Sequence, residues 1–186
     1  MDDLQIIELY WERSETAISE TAHKYGRLCH YIAYNILHDD WDAEECVEDA
    51  YWKAWNVMPP ERPKVLSAFL GRIVRNMALN RYESNTAQKR GGGRTQLVLG
   101  EWMDCVPEHR DQDHLADDIA LTEAFNRFLA SLPTEHRKLF VRRYWFMSSI
   151  QDIAASFSMG ESKVKMILLR TRRKLKEFLE REGIEV

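Results

Sequence analysis

Basic and polar side chains, together with one methionine, recur at helical spacing near the C-terminal end of the sequence. The set consists of Ser162, Lys163, Lys165, Met166, Arg170, Arg172 and Arg173. Lysine and arginine neutralise phosphates, whereas side chains on an exposed helix face can contact base edges in a major groove. These residue types at this spacing therefore indicate nucleic-acid binding.

The elements that would hold this set have the pattern of a helix-turn-helix. A short helix is predicted over 148–157 and a longer one over 161–181, with a three-residue turn between them. The small Ala154 would let the two helices cross closely, and Val164 and Leu168 would bury the second against the first. The remaining face, predicted to enter a major groove, carries Ser162, Lys163, Met166, Ile167 and Arg170. Taken alone, the segment is also compatible with a plain helical hairpin whose basic face is solvated.

A helix predicted over about 64–84 carries a second set of polar side chains. Its polar residues are Arg72, Arg75, Asn76 and Asn80. An amide can form paired hydrogen bonds with a base edge, and neighbouring arginines can hold phosphates. The alternative is that Asn76 hydrogen-bonds to the backbone within its own domain.

Carboxylates form a third cluster, early in the chain. They are Asp42, Glu44, Glu45, Glu48 and Asp49. Residues three and four apart share a helix face, and several carboxylates together attract a basic protein partner. The alternative is an acidic first turn that only complements the helix dipole.

The net charge of −4 over 186 residues conceals an uneven distribution. Residues 1–60 sum to −9, residues 61–118 to zero and residues 119–186 to +5. An acidic N-terminal segment repels DNA and attracts a basic protein partner, whereas a basic C-terminal segment attracts phosphates.

Composition and apolar run lengths exclude several classes of protein. No apolar run approaches the roughly 18 residues of a membrane span, and the acidic first residues do not resemble a signal peptide. The cysteines Cys29, Cys46 and Cys105 are far apart and odd in number, which disfavours a disulfide scaffold and favours a reducing cytoplasm. Membrane-spanning, small secreted and collagen-like classes are therefore not expected.

Helical periodicity dominates the chain and predicts an all-α fold of two small helical domains joined by a flexible linker. We place the first domain at 1–86, the linker at 87–113 and the second domain at 114–186. The consecutive glycines near residue 91 favour a hinge, and the chain from there to about 113 is expected to be polar and irregular. Apolar residues over 97–103 could nevertheless dock on a neighbour.

Local signals also predict individual helices. A helix is expected over Thr16–Leu37, and Asp39 or Asp40 can cap the next one, which stops at the proline pair 59–60. The aromatic residues Trp52, Trp55 and Phe69 have helical spacing and are expected in the core rather than stacked on bases.

Four segments, in order along the chain, resemble the sigma-70 family of bacterial RNA polymerase factors. Residues 42–55 (DAEECVEDAYWKAW) are similar to region 2.2, and residues 68–78 (AFLGRIVRNMA) to regions 2.3 and 2.4. Residues 132–144 and 150–175 resemble the lead-in and the helix-turn-helix of region 4. The short length, without room for a bulky region 3 domain, indicates the extracytoplasmic-function (ECF) group.

The sequence departs from the family pattern at several positions. Glu45 and Glu48 stand where Asp and Gln are usual, which keeps or adds acidity. Ser158 replaces the usual turn glycine and is expected to carry backbone strain. Met166 and Ile167 replace a common Ser-Arg pair in the reading helix, so promoter preference does not transfer from other members.

The resemblance implies an ECF sigma factor that binds core polymerase and directs promoter-specific initiation. It places the acidic cluster on the β′ clamp helices and region 4 on the β flap. It assigns Arg72, Arg75, Asn76 and Asn80 to the −10 element and its melting. The residues assigned to the −35 element are Ser162, Lys163, Lys165, Met166, Arg170, Arg172 and Arg173. It also implies a cytoplasmic protein without cofactor or metal, and it allows an anti-sigma factor as a further partner.

Two other classes of function are less well supported by the residues. A stand-alone helix-turn-helix regulator would need a self-complementary apolar face for dimerisation. A zinc protein would have to use Cys105, His109 and His114, which lack a fourth ligand at standard spacing. Cys29 and His30 are helix neighbours on different faces and form no nucleophile–base pair, so no enzyme activity is expected.

Overall fold

The computed structural model describes residues 1–88, 94–103, 105 and 115–184, and they divide into two compact units, Met1–Gly91 and Gly92–Val186. Nine helices and no strands occur in this part of the chain. The predicted all-α fold with two helical domains is confirmed. None of the described helices is both long and apolar enough to cross a membrane.

Four helices build the first unit. They are α1 (Asp3–Trp11), α2 (Thr16–Leu37), α3 (Asp40–Val57) and α4 (Leu66–Gln88). Helices α2, α3 and α4 pack against one another, and α1 packs on α2. The Asp39 carboxylate accepts a hydrogen bond from the Asp42 backbone N–H at 2.9 Å, so the predicted cap of α3 is confirmed. The predicted stop before the proline pair is also confirmed, because α3 ends at Val57.

The aromatic residues of α3 and α4 divide between core and surface. Phe69 is buried, and the Trp55 ring packs on Tyr10 with a centroid separation of 6.2 Å. Trp52, however, is 60% exposed, so its predicted place in the core is wrong. Trp52 lies four positions after the exposed Glu48 and therefore shares its helix face. The buried face of α3 carries Ala43 and Ala50 instead.

Two buried thiols of the first unit give a prediction about pH. Burial raises the pKa of Cys29 and of Cys46 to about 11, from an ordinary value of 9.0. The unfolded chain therefore releases these protons at lower pH than the folded chain, so the stability due to the neutral thiols is intact below pH 9 and is lost as the pH rises through about 11. At pH 8 we expect neither thiol to react with a disulfide reagent until the protein unfolds.

Mass-spectrometric mapping of labelled cysteines checks this prediction, with labelling in guanidinium chloride as the control. Labelling of Cys29 or Cys46 in the folded protein at the rate of a free thiol would contradict it.

Five helices lie in the second unit. They are α5 (Arg94–Met103), α6 (Leu115–Ser131), α7 (Thr134–Tyr144), α8 (Ile150–Ser156) and α9 (Glu161–Arg181). Irregular chain was predicted from the glycines to about 113, and over Arg94–Met103 this is wrong. Docking of its apolar residues on α7 stabilises the helix, as the buried Val98 and the Trp102 contacts show. The predicted glycine hinge at 91–93, His109 and His114 lie outside the described residues.

An aromatic cluster forms the centre of the second unit. Phe140 packs against Tyr144 with ring centroids 4.6 Å apart, and Trp102 from α5 lies 5.3 Å from Phe125 and 5.7 Å from Tyr144. Phe128 adds an edge contact to Phe140 at 6.3 Å. The cluster joins α5, α6 and α7 through tilted and edge-on ring contacts, which aromatic pairs favour over face-to-face stacking.

The helix-turn-helix is formed by α8 and α9. Ser149 caps α8 by accepting a hydrogen bond from the Asp152 N–H at 3.0 Å. In the turn, Ser158 has φ of 51°, the left-handed region in which a side chain costs about 1–2 kcal/mol. The backbone strain predicted from the missing glycine is therefore confirmed.

Candidate DNA-binding and partner-binding surfaces

The acidic cluster lies on α3, and the structure divides it into paired and unpaired carboxylates. Arg81 on α4 forms ion pairs with Asp42, at 3.4 Å between Nε and Oδ1, and with Glu45. Among the described residues, no ion pair or hydrogen bond involves the carboxylates of Glu44, Glu48 or Asp49, and all three are exposed. These three carry the negative charge available to a partner.

The candidate −10 residues lie on α4. Arg72, Asn76 and Asn80 follow one another at steps of four, so they share one face, and all three are exposed. No hydrogen bond among the described residues uses the Asn76 side chain, which leaves its amide available to a base edge. Arg75 lies off this face, is partly buried, and burial lowers the pKa of its guanidinium. The structure thus brings three of the four residues together and sets Arg75 apart.

The candidate −35 residues lie on α9, where most of them are exposed. The exposed members are Ser162, Lys163, Lys165, Met166, Arg170 and Arg173. Lys165 forms an i,i+4 pair with Glu161 at 3.9 Å. Ile167 is buried at 9% exposure beside Val164 and Leu168 on the packed side of α9, so its predicted place on the reading face is wrong. Apolar spacing alone could not separate Met166 from Ile167, since the two are neighbours at the edge of the stripe.

Arg172 also points away from the exposed face, and it ends in a network around Glu101 of α5. Its Nη1 donates to the Tyr144 hydroxyl at 2.6 Å and lies 3.3 Å from Glu101 Oε2, with the side chain 19% exposed. A guanidinium held in this way is not positioned for phosphate. We therefore remove Arg172 from the set of proposed DNA contacts.

Glu101 is the centre of this network. Its two oxygens accept hydrogen bonds from Arg143 Nε at 3.1 Å and Nη2 at 3.0 Å, a bidentate pair, and from the Tyr144 hydroxyl at 3.1 Å. The Arg143 side chain is 2% exposed, and its Nη1 donates to the Ser148 carbonyl at 3.1 Å. Burial raises the pKa of Tyr144, so its hydroxyl keeps the proton that it donates.

Sequence reasoning missed Glu101 because it treated this segment as a linker. The signal that was present is the apolar run of 97–103, whose docking brings Glu101 against α7 and α9. One partly buried carboxylate thereby links α5 to both of these helices, of which α9 is the second helix of the helix-turn-helix.

Together, a helix-turn-helix with a basic exposed helix in one unit and an acidic face on α3 in the other are features of a DNA-binding protein. Family models for sigma-70 region 2 and sigma-70 region 4 match residues 21–88 and 122–175, about two thirds of the chain. The chain belongs to the sigma-70 family of RNA polymerase sigma factors, within the ECF group.

One curated protein and one solved structure are among the proteins to which the chain is similar. The chain is 23% identical over 167 residues to ECF RNA polymerase sigma factor SigE of Mycolicibacterium smegmatis, covering 89% of this chain and 63% of that relative's length. A solved structure of CnrH in complex with the cytosolic domain of CnrY is 18% identical, covers 96% of this chain and 97% of its own, and has a TM-score of 0.44. That score is too low to establish a common overall arrangement.

Proposed function

We propose that the protein is an ECF-type sigma factor that binds core RNA polymerase, recognises −10 and −35 elements and helps melt the promoter. The observation that carries the proposal is that the two family-matched units expose separate faces, one acidic on α3 and two DNA-compatible on α4 and α9. The protein acts in the cytoplasm and performs no chemistry itself, because RNA synthesis belongs to the polymerase. An anti-sigma factor would regulate it by covering one of these faces.

The acidic face of α3 is the proposed contact with the β′ clamp helices. Glu44, Glu48 and Asp49 present three exposed carboxylates within about two helical turns. Charges arranged in this way speed the encounter with a basic partner and fix the register of docking. Arg81 holds Asp42 and Glu45 in place at the edge of the same face. The second unit would bind the β flap in the same holoenzyme.

The −10 element is the proposed ligand of α4. Asn76 and Asn80 supply amides that can form paired hydrogen bonds with an unstacked base, and Arg72 supplies a phosphate contact one turn away. Arg75, which is partly buried, would support this face rather than contact DNA.

The −35 element is the proposed ligand of α9. Ser162, Lys163, Met166 and Arg170 would read base edges, with the methionine suited to a thymine methyl group. Lys165 and Arg173 would hold phosphates on either side of the groove.

Run-off transcription tests the proposed function. Bacterial core polymerase is supplied with and without the protein on a pool of genomic fragments, and new start sites that require the protein would support a sigma factor. Absence of core binding and of transcripts, with salt-sensitive binding of the protein alone to palindromic DNA, would instead indicate a stand-alone helix-turn-helix regulator.

Substitutions on α9 separate phosphate contacts from base contacts. For Arg173→Gln we expect weaker binding of holoenzyme to all promoters alike, with the slope of log K against log salt reduced by about one. For Lys163→Ala we expect a change in promoter preference, because a base contact is removed.

Fluorescence anisotropy of holoenzyme on labelled promoter fragments, over a series of salt concentrations, measures both effects. Arg181→Gln is the control, since Arg181 lies at the far end of α9 and its Nε bonds only the Glu177 carbonyl. An unchanged salt slope for Arg173→Gln would contradict the phosphate assignment.

A further inference from the structure

Two tryptophans on α3 are exposed to an unusual degree. Trp41 is 78% exposed and Trp52 is 60% exposed, and Trp41 is the most exposed large hydrophobic side chain in the described part of the chain. Trp55, one turn further on, packs on Tyr10 and lies under the Arg13 guanidinium. No ring contact or cation–π contact among the described residues involves Trp41 or Trp52. Packing within the unit therefore does not account for these two indoles.

The two indoles lie on the same stripe of α3 as two of the carboxylates. Positions 41, 45, 48 and 52 follow steps of four, three and four, so Trp41, Glu45, Glu48 and Trp52 form one row along the helix. We call this row the Trp–Glu stripe. At 1.5 Å per residue its two indoles are about 16 Å apart along the axis, with the acidic residues between them.

The charge on this stripe is lower than the sequence suggests. Arg81 pairs with Glu45, so the unpaired carboxylate between the two indoles is that of Glu48. A row with one free charge between two large apolar groups does not act by electrostatic attraction alone. Its chemistry suits a partner helix that offers both basic and apolar side chains.

We infer that Trp41 and Trp52 are apolar anchors with which the first unit holds its basic partner. The inference rests on the proposed function and names the residues that supply affinity at the α3 surface. Tryptophan and arginine dominate the binding energy of protein interfaces, because an indole buries a large area and also attracts a guanidinium over its ring. The occupant is a helical segment of core polymerase with arginine or lysine beside apolar residues, to which the −9 charge of residues 1–60 is complementary.

The dependence of binding on salt concentration distinguishes apolar anchoring by the tryptophans from electrostatic attraction by the carboxylates. Salt screens the interaction of exposed charges, whereas burial of an indole depends on apolar area. Loss of an anchor therefore lowers affinity by the same factor at every salt concentration, and loss of Glu48 reduces the salt dependence itself.

The test measures the affinity of the full chain for core polymerase at several salt concentrations. Trp41→Ala and Trp52→Ala should each weaken binding about tenfold, and the double variant about 100-fold, with the salt slope unchanged. Glu48→Gln should reduce the slope. Tyr34→Ala is the matched control, because Tyr34 is an aromatic residue of α2 that is 40% exposed.

The outcomes are separable. The anchoring role would be overturned if the double variant bound core polymerase with wild-type affinity while Glu48→Gln weakened that binding. The proposed function would then remain intact. Failure of wild type to bind core polymerase would instead overturn the proposed function. Trp52→Phe, which retains an aromatic ring, should recover part of the affinity, and unchanged circular dichroism excludes unfolding as the cause of any loss.

Discussion

Glu101→Ala is expected to destabilise the second unit by about 3 kcal/mol, the lower end of the loss for breaking a buried ion pair, because Arg143 is buried whereas Glu101 is partly exposed. The Arg143 side chain, which is 2% exposed in the native structure, would keep only the Ser148 carbonyl as a described hydrogen-bond acceptor. Arg172 and Tyr144 would lose the same carboxylate. Helices α7 and α9 would therefore open more often than in the native protein.

Hydrogen exchange measured by mass spectrometry on peptides from α7 and α9 checks this prediction, because it reports on the second unit separately from the first. Glu123→Ala, an exposed glutamate on α6, is the matched control and should have no effect. Glu101→Gln keeps an acceptor but loses the charge, so we expect an intermediate loss of protection. Native protection in Glu101→Ala would show that the network contributes little to stability.

Reversal of the two unpaired glutamates on α3 is expected to have the largest effect on partner binding. Glu44→Lys with Glu48→Lys should weaken core polymerase binding by about 100-fold or more, because attraction to a basic surface becomes repulsion. Glu45 is a poorer choice, since its carboxylate is already paired with Arg81 and its removal would also disturb the contact with α4. Affinity measurements at low and high salt would test the change and its electrostatic origin.

The matched control places the same change of charge elsewhere in the first unit. Glu12→Lys with Glu61→Lys alters two exposed glutamates outside α3 and should reduce affinity only slightly, through long-range charge. Equal losses in the two double variants would mean that net charge, rather than the α3 face, controls binding.

Elements with a strong local signal were predicted well from the sequence. The helix expected over Thr16–Leu37 has those bounds in the structure, and α3 begins at its Asp39 cap. The pair of helices around the turn at Ser158 was also predicted, including the strain at that residue. Caps, prolines and apolar periodicity act over a few residues, so the sequence contains them in full.

The candidate site was predicted less completely, because exposure depends on what each helix face meets. Periodicity of the aromatic residues alone could not separate Trp52, which continues the exposed row of Glu45 and Glu48, from Trp55, which lies against Tyr10. Nor could it place Ile167 in the packed side of α9, next to the exposed Met166. Met166 and Ile167 lie at the boundary of an apolar stripe, where the position of a neighbouring helix decides burial.

The sequence by itself determined the helices other than α5, the two units and the sign of the charge in each, and through its motifs it indicated the family. Only the tertiary structure decided which charges are free. Glu101 and Arg143 are 42 positions apart in the sequence. Only the folding of three helices brings both Arg143 and Arg172 to the Glu101 carboxylate. Long-range ion pairs such as these and Arg81 with Glu45 depend on helix packing, which no local pattern encodes.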